Sequence, residues 1–311
     1  MIARLCARPV NSGVRCLLLW GFRSMYNRII NINNTLKAVC NAVASAEATT
    51  KGHIKLYYPN ANEEFITFAF YGHIKHELNE ASRNKYIERA FLEDLKFALR
   101  HQWSANWEVE RRLNQRASGL VADIVLHNKR QEAKTGGDFG LIIVHPQIII
   151  NSDFLEVKKG QSSGLLCQAK LKDKNNRWGS FTKKQKSILP NHMDFTSLVL
   201  YSYLDKERVE LNPVAWKLCR GNSIPEIEEA LKKNPIEETL NTSDIITGLG
   251  RREIGTSDQN LIEQIVSPSA RQHLELRIYW PKDDDPKEPI KVGIRHQQNI
   301  ERKAYVRVHR T

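Results

Sequence analysis

The stretch TGGDFGLIIVH, residues 135–145, and the stretch LLCQAKL, residues 165–171, decide the fold class of this chain. Both are short runs of aliphatic and β-branched residues bounded by turn-forming residues, a pattern typical of β-strands. Side chains alternate between the two faces of a strand, so Gln168 and Lys170 are predicted to share one face. Asp138 directly follows the glycine turn that opens the earlier strand. The two strands therefore carry polar side chains where a buried sheet would otherwise be apolar.

Helices and further strands surround these two strands in a definite order. The periods of the apolar residues predict helices at 62–80, 84–101 and 181–189 and strands at 119–127, 139–145, 165–171 and 196–204. The strand at 196–204 is apolar on both faces, which is typical of a central strand covered on both sides. This order predicts an α/β fold in which a central mixed sheet is flanked by helices.

The region beyond residue 206 is expected to add a C-terminal α+β extension. PEIEEALKKN at 225–234 is typical of a helix, and IITGLGRREIG at 245–255 is typical of a loop punctuated by glycines. HLELRIYW at 273–280 and KAYVRVH at 303–309 are typical of strands. We therefore divide the chain into a basic N-terminal extension or helix at 1–50, a core at 51–205 and a C-terminal extension or second subdomain at 206–311.

Composition limits the classes of partner. The chain has 311 residues and a formal net charge of +12, a surplus that favours a polyanion such as nucleic acid. Its five cysteines are scattered without CxxC spacing, which argues against a structural zinc site and a disulfide scaffold and suits a reducing, cytoplasmic compartment. No apolar run approaches the roughly 20 residues that span a bilayer, so no membrane association is expected.

The N-terminus has an unusual charge pattern. No acidic residue precedes Glu47, whereas Arg and Lys recur throughout that stretch. Three interpretations stay open: a poorly structured extension, an organelle-targeting segment, and a basic arm that lies on phosphates.

A lysine and several oxygen-bearing side chains are predicted to converge at one site. Asp138 opens one strand, and Gln168 and Lys170 lie on one face of the next. Glu132, six residues before Asp138, and Glu63, on the apolar stripe of the first helix, are further acids for this site. Mg²⁺ prefers oxygen ligands, and a lysine beside it would orient or deprotonate a water or neutralise charge on a phosphate. This combination indicates phosphodiester hydrolysis.

The same residues carry a resemblance to a known family. EAKTGGD at 132–138, followed by QAK at 168–170, resembles the PD-(D/E)XK nuclease superfamily, which has the restriction-endonuclease-like fold. NEEFIT at 62–67 looks like the first-helix signature of a bacterial branch with an E…GAD…QAK pattern. The resemblance covers about 62–205 and implies an α-β-β-β-α-β core.

The resemblance also implies roles for individual residues. Asp138 and Gln168 would be metal ligands, Lys170 would be the catalytic lysine, and a glutamate of the first helix would complete the site. Glu63 is preferred to Glu64 because it shares a face with the apolar stripe. Gln168 stands where Asp or Glu is commoner, which removes one negative charge from the metal site. The cofactor implied is Mg²⁺, for which Mn²⁺ would substitute, and the catalytic set implied is Glu63, Glu132, Asp138, Gln168 and Lys170.

A basic segment follows the proposed catalytic strand. From Lys170 to Lys186, counting both, there are seven basic residues and one acidic residue, Asp173. Basic side chains beside the site would contact phosphates, and the aromatic residues between them would stack on bases or pack beneath the loop. Gln185 would bind a phosphate or hold Lys170. The candidate nucleic-acid contacts are Lys172, Lys174, Arg177, Trp178, Lys183, Lys184 and Gln185.

Two functions are expected from these patterns. The first is a Mg²⁺-dependent endonuclease that cuts DNA, in a bacterial defence or repair role implied only by the resemblance. The second is a nucleic-acid-binding protein of the same fold that has lost cleavage, which Gln168 in place of an acid would favour. Double-stranded DNA is the expected partner in both, and a homodimer is one assembly open to the chain.

Overall fold

The computed structural model describes residues 26–28, 32–99, 121–123, 135–150, 155–205, 207–233, 239–265 and 273–277. The helices are α1 (Asn33–Tyr57), α2 (Glu63–Arg83), α3 (Tyr86–Leu99), α4 (Lys183–Ile188), α5 (Ile224–Lys232), α6 (Thr242–Arg251) and α7 (Gln259–Ile265), with a 3₁₀ helix at Leu189–Phe195. The strands are β1 (Tyr26–Arg28), β2 (Val121–Asp123), β3 (Phe139–Ile150), β4 (Leu155–Leu171), β5 (Thr196–Tyr201), β6 (Ala215–Leu218), β7 (Leu240–Asn241) and β8 (His273–Arg277).

The strands form one mixed sheet in the order β2-β8-β3-β4-β5-β6-β7, with β1 paired to β3. β3 and β4 are antiparallel, and Phe139 lies opposite Cys167. β5 runs parallel to β4 on the other side, so β4 is an interior strand. Every residue of β5 is buried, as its apolar sequence predicts. The α/β class with a mixed, helix-flanked sheet is confirmed.

Helices cover both faces of the sheet. Side chains of α1, α2, α3 and α6 pack on the face to which Cys167 and Ala169 contribute. Side chains of the 3₁₀ helix, α5 and α7 pack on the face to which Leu166 contributes. Because side chains alternate along β4, Gln168 and Lys170 extend from the same face as Leu166.

Several predicted elements recur with shifted bounds. The helix predicted at 62–80 is α2, and Asn62 caps it by accepting a hydrogen bond from Phe65 N at 2.8 Å. The strand predicted at 165–171 extends back to Leu155. The helix predicted at 181–189 is a short α4 that continues as the 3₁₀ helix, where Pro190 lacks an N–H for a regular α-helical bond.

The loop predicted at 245–255 is wrong, because residues Thr242–Arg251 form helix α6. A capping box begins the helix: Asn241 accepts from Asp244 N while Asp244 accepts from Asn241 N. A Cβ on Gly250 would lie 2.2 Å from Leu36 Cδ2, so this glycine lets α6 approach α1 closely. Glycine here permits helix packing and does not mark a loop.

The described part of the C-terminal region belongs to the same sheet and the same cores. β6, β7 and β8 extend the sheet on its two sides, and α6 packs against α1. α1 itself runs across the boundary expected at residue 50. Glu132, residues 1–25 and the strand predicted at 303–309 lie outside the described residues. Of the described helices, none has the length and apolar character needed to cross a membrane.

Candidate active site

The site is built on an edge of β4 that β3 leaves unpaired. β3 begins one residue after Asp138, and the bond from Asp138 N to Cys167 O, 2.8 Å, marks the end of the β3–β4 pairing. β4 continues to Leu171, and the backbone groups of Ala169 and Leu171 point to the same side as those of Cys167, because strand geometry repeats every two residues. Such groups need other partners when they lie inside a protein.

Two carboxylates accept the N–H groups of this open edge. Asp138 Oδ2 accepts from Ala169 N and Glu63 Oε2 accepts from Leu171 N, each at 2.7 Å. The two N–H groups lie about 7 Å apart, since they are two residues apart on one strand. An acid from α2 and an acid from the turn before β3 therefore both bind the backbone of β4. Glu64, the alternative to Glu63, is exposed.

The two carbonyl groups of the same edge also have partners. Gln168 Nε2 donates to Ala169 O at 3.2 Å, and Gly179 N donates to Leu171 O at 3.2 Å. The open edge is thus closed by side chains and by one loop amide rather than by another strand.

Glycines in the turn before β3 bring Asp138 to this edge. Gly136 has φ +75°, a conformation that side-chain-bearing residues rarely adopt. A Cβ on Gly137 would lie 2.4 Å from Leu166 Cδ1 and 3.1 Å from Cys167 O, so no side chain fits there. The turn therefore packs closely against β4. Asp138 is the next residue, so its side chain can reach the backbone of that strand.

Gln168 is held by a second glutamine, Gln185 of α4. Both side chains are buried, at 1% and 5% exposure. Thr182 N donates to Gln185 Oε1 at 3.0 Å, and Gln185 Nε2 donates to Gln168 Oε1 at 2.9 Å. Gln168 Nε2 donates in turn to Asp138 Oδ2. Gln185 therefore supports Gln168, and it does not lie on the surface where it was expected to meet a phosphate, nor does it hold Lys170.

Lys170 is buried near the end of β4. It is 5% exposed, its Nζ lies 3.5 Å from Ser180 O, and the ammonium lies 4.9 Å from the centroid of the Phe181 ring. A carbonyl and the face of an aromatic ring both stabilise a cation. A Cβ on Gly179 would lie 3.7 Å from Lys170 Cδ and 3.9 Å from Glu63 Oε2, so Gly179 lies near both the lysine stem and the carboxylate.

The negative charge of the site extends into the apolar layer beneath it. Burial, and then the charges of Tyr201, Cys167 and Asp138, raise the pKa of Tyr71 well above its usual value. Burial, with Glu63 and Asp138 among the nearby charges, also raises the pKa of Tyr201. Burial and then Asp138 raise the pKa of the Cys167 thiol. These three groups stay protonated, so the acids are the anionic groups of this region.

The oxygens at this edge suit a hard cation. Asp138 and Glu63 supply carboxylates, and Ala169 supplies a carbonyl, which are the ligand types that Mg²⁺ prefers. Gln168 Oε1 points to Gln185, so Gln168 does not offer an oxygen to Asp138 in this hydrogen-bond pattern. Within the described stretches, no three or more His, Cys, Asp or Glu side chains are grouped in a way that could hold a metal ion.

The basic segment lies partly on the surface. Lys172 Nζ lies 5.5 Å from the centroid of the Trp178 ring, and Trp178 packs against the core beneath it. Phe181 is buried, so the aromatic residues pack beneath the loop. Lys186 forms an ion pair with Glu228 at 2.8 Å. The basic side chains exposed to solvent are Lys174, Arg177, Lys183, Lys184 and Lys186.

Sequence reasoning missed the roles of Thr182 and Gln185. The spacing T-x-x-Q is that of a capping box and predicts the bond between the Gln185 side chain and Thr182 N. No comparable signal pairs Gln185 with Gln168, because the contact depends on how α4 packs on the sheet.

Comparisons with protein-family models, with curated proteins and with solved structures gave no match to this chain.

Proposed function

We propose that this chain is a metal-dependent endonuclease with a restriction-endonuclease-like core that hydrolyses phosphodiester bonds in DNA. The observation that carries the proposal is the meeting of Asp138, Glu63 and buried Lys170 on the last residues of β4. Two acids and a buried lysine near the end of one strand are the groups that metal-assisted phosphodiester hydrolysis uses. The order α2, α3, β2, β3, β4, α4, β5 supports such a core.

The residues that would hold Mg²⁺ or Mn²⁺ are Asp138, Glu63 and the carbonyl of Ala169. The oxygen of Gln168 would join them only if its amide turned over. A bound Mg²⁺ would lower the pKa of a water and neutralise charge on the scissile phosphate.

Lys170 would stabilise charge on the phosphate or orient the attacking water. Its side chain is 5% exposed, and its ammonium lies beside Ser180 O and the face of the Phe181 ring. A donor that is already in place needs little reorganisation when negative charge develops.

The exposed lysines of α4 would bind the DNA backbone. Lys183 and Lys184 lie on the helix that also carries Gln185, the partner of Gln168. Phosphate contacts here would position the duplex without reading its sequence.

The test is nicking of supercoiled plasmid in Mg²⁺ or Mn²⁺ by matched variants. We expect Glu63→Gln and Lys170→Met to lose cleavage by at least about 100-fold, the scale of removing one electrostatic contact from an active site. Glu64→Gln and Lys232→Met alter exposed residues of the same types that have no part in the proposed site, and should cleave within a few-fold of the wild type. Equal nicking by all five proteins would identify a contaminant and overturn the proposal.

One observation favours a second candidate, a DNA-binding protein without cleavage. Gln168 donates its amide to Asp138, so this acid already has a neutral partner. Binding of duplex DNA that weakens with salt, without cleavage in any divalent ion, would select this candidate over the nuclease.

A further inference from the structure

The hydrogen-bond pattern fixes which way both buried amides face. Thr182 N–H can only donate, so Gln185 must present its oxygen to it. The amide nitrogen of Gln185 then donates to Gln168, which accepts through its side-chain oxygen. At the far end, Asp138 Oδ2 and Ala169 O are acceptors that match the nitrogen of Gln168. Each link is satisfied in one orientation only.

The Gln168 amide occupies the oxygens that a cation would need. Its Nε2 donates to both Asp138 Oδ2 and Ala169 O, a carboxylate and a carbonyl from two segments of the chain. These oxygens are also two of the three groups that suit Mg²⁺. The NH₂ group of Gln168 therefore occupies the position between these two oxygens that a cation would need.

Turning Gln168 over would place its oxygen toward Asp138 and its nitrogen toward Gln185. Two NH₂ groups would then face each other in a buried site, unless Gln185 also turned. Gln185 cannot turn without losing its bond to Thr182 N, which caps α4. The orientation of Gln168 is thus tied to the first turn of a helix that carries exposed lysines.

We propose that Gln185 is a positioning residue that controls metal binding at Asp138 through the orientation of Gln168. This inference rests on the proposed metal site. In the arrangement described, Gln185 holds Gln168 as a donor to Asp138. Cation binding then requires the amide of Gln168 to leave or invert. Losing one buried hydrogen bond in that step would weaken metal affinity about tenfold or more.

The variant Gln185→Glu tests the orientation directly. A glutamate still accepts from Thr182 N, since T-x-x-E is also a capping box, but its other oxygen accepts from Gln168 Nε2. Gln168 then turns its oxygen to Asp138. Gln185→Met is the second variant, because it keeps the side-chain length and removes both hydrogen bonds. Lys232→Met is the control, because Lys232 is an exposed residue of α5 and its replacement lowers the net charge by the same single unit as Gln185→Glu.

The first measurement is calorimetric titration of the full chain with Mn²⁺ at pH 8, without nucleic acid. We expect Gln185→Glu to bind Mn²⁺ at least about tenfold more tightly than the wild type and Gln185→Met to lie between them. Lys232→Met should match the wild type. Folding of each variant is checked by circular dichroism and thermal unfolding.

The second measurement separates this inference from the proposed function. In the wild type labelled with ¹⁵N-glutamine, Mg²⁺ should shift the side-chain amide signals of Gln168 and Gln185 together, whether or not the protein cleaves DNA. Equal Mn²⁺ affinity in wild type, Gln185→Glu and Gln185→Met, with binding lost in Asp138→Ala, would overturn the role of Gln185 and leave the metal site standing. Absence of Mn²⁺ binding in every protein would overturn both.

Discussion

Replacing Gly137 by alanine tests whether the turn before β3 sets the position of Asp138. The new Cβ would lie 2.4 Å from Leu166 Cδ1 and 2.7 Å from Leu166 Cγ, inside a side chain that is 1% exposed. Leu166 or the turn must move, and overpacking of this kind costs about 1–3 kcal/mol. If the turn moves, the bond between Asp138 and Ala169 N is also weakened, which adds about 1 kcal/mol. We expect the free energy of unfolding to fall by about 2–4 kcal/mol.

The assay is urea unfolding followed by tryptophan fluorescence, with Mn²⁺ titration of the same samples. Gly52→Ala is the matched control, because Gly52 lies in α1, is exposed, and would place its new Cβ more than 4 Å from every other described element. That change should raise the free energy of unfolding by about 0.5–1 kcal/mol, since alanine favours helix. The reasoning is refuted if Gly137→Ala unfolds at the wild-type urea concentration and binds Mn²⁺ with wild-type affinity.

Three further predictions concern other parts of the molecule. His145 is 5% exposed, and burial, then the charge of Arg252, lower its pKa from 6.5 to about 4. As the pH falls, the unfolded chain therefore protonates at this position before the folded one does. The free energy of unfolding, measured in urea, should fall by about 3 kcal/mol between pH 6.5 and about pH 4. A His145→Leu variant should lack this loss. Asp94 is buried and accepts four hydrogen bonds from the first residues of α1; Asp94→Ala should lower the free energy of unfolding by about 3 kcal/mol, whereas the same change at exposed Glu93 should have little effect. Lys183→Gln with Lys184→Gln should flatten the dependence of log Kd for duplex DNA on log salt by about 2, and an unchanged slope would remove α4 from the DNA-binding surface.

Local signals predicted the elements whose stability depends on their own sequence. Asn62 caps α2 through a bond to a residue three positions later, and β5 is apolar at every position after its first two residues. The preference for Glu63 over Glu64 followed from helical periodicity, and Glu63 is the one that reaches β4. These features need no knowledge of distant parts of the chain.

Elements that depend on distant partners escaped prediction. The first turn of α1 donates its hydrogen bonds to Asp94, about sixty residues later in the chain, and no side chain before the helix caps it. Gly250 in α6 breaks the usual helix preferences because Leu36 of α1 occupies the space of its missing side chain. In both cases tertiary packing outweighs the local propensity.

Gln168 shows why the letters QAK alone do not distinguish the two functions proposed above. A glutamine can donate or accept, so the letters QAK are equally compatible with a ligand and with a neutral partner of Asp138. The choice is made by Gln185, seventeen residues later, and by the main-chain N–H of Thr182, whose hydrogen-bond role no substitution of a side chain reverses. A carboxylate at position 168 would leave Asp138 facing a like charge, which only a cation or a proton would offset. The amide removes that need, because it gives Asp138 a neutral partner. Under the proposed function, the affinity of the site for metal would depend on how readily Gln168 and Gln185 give up these hydrogen bonds.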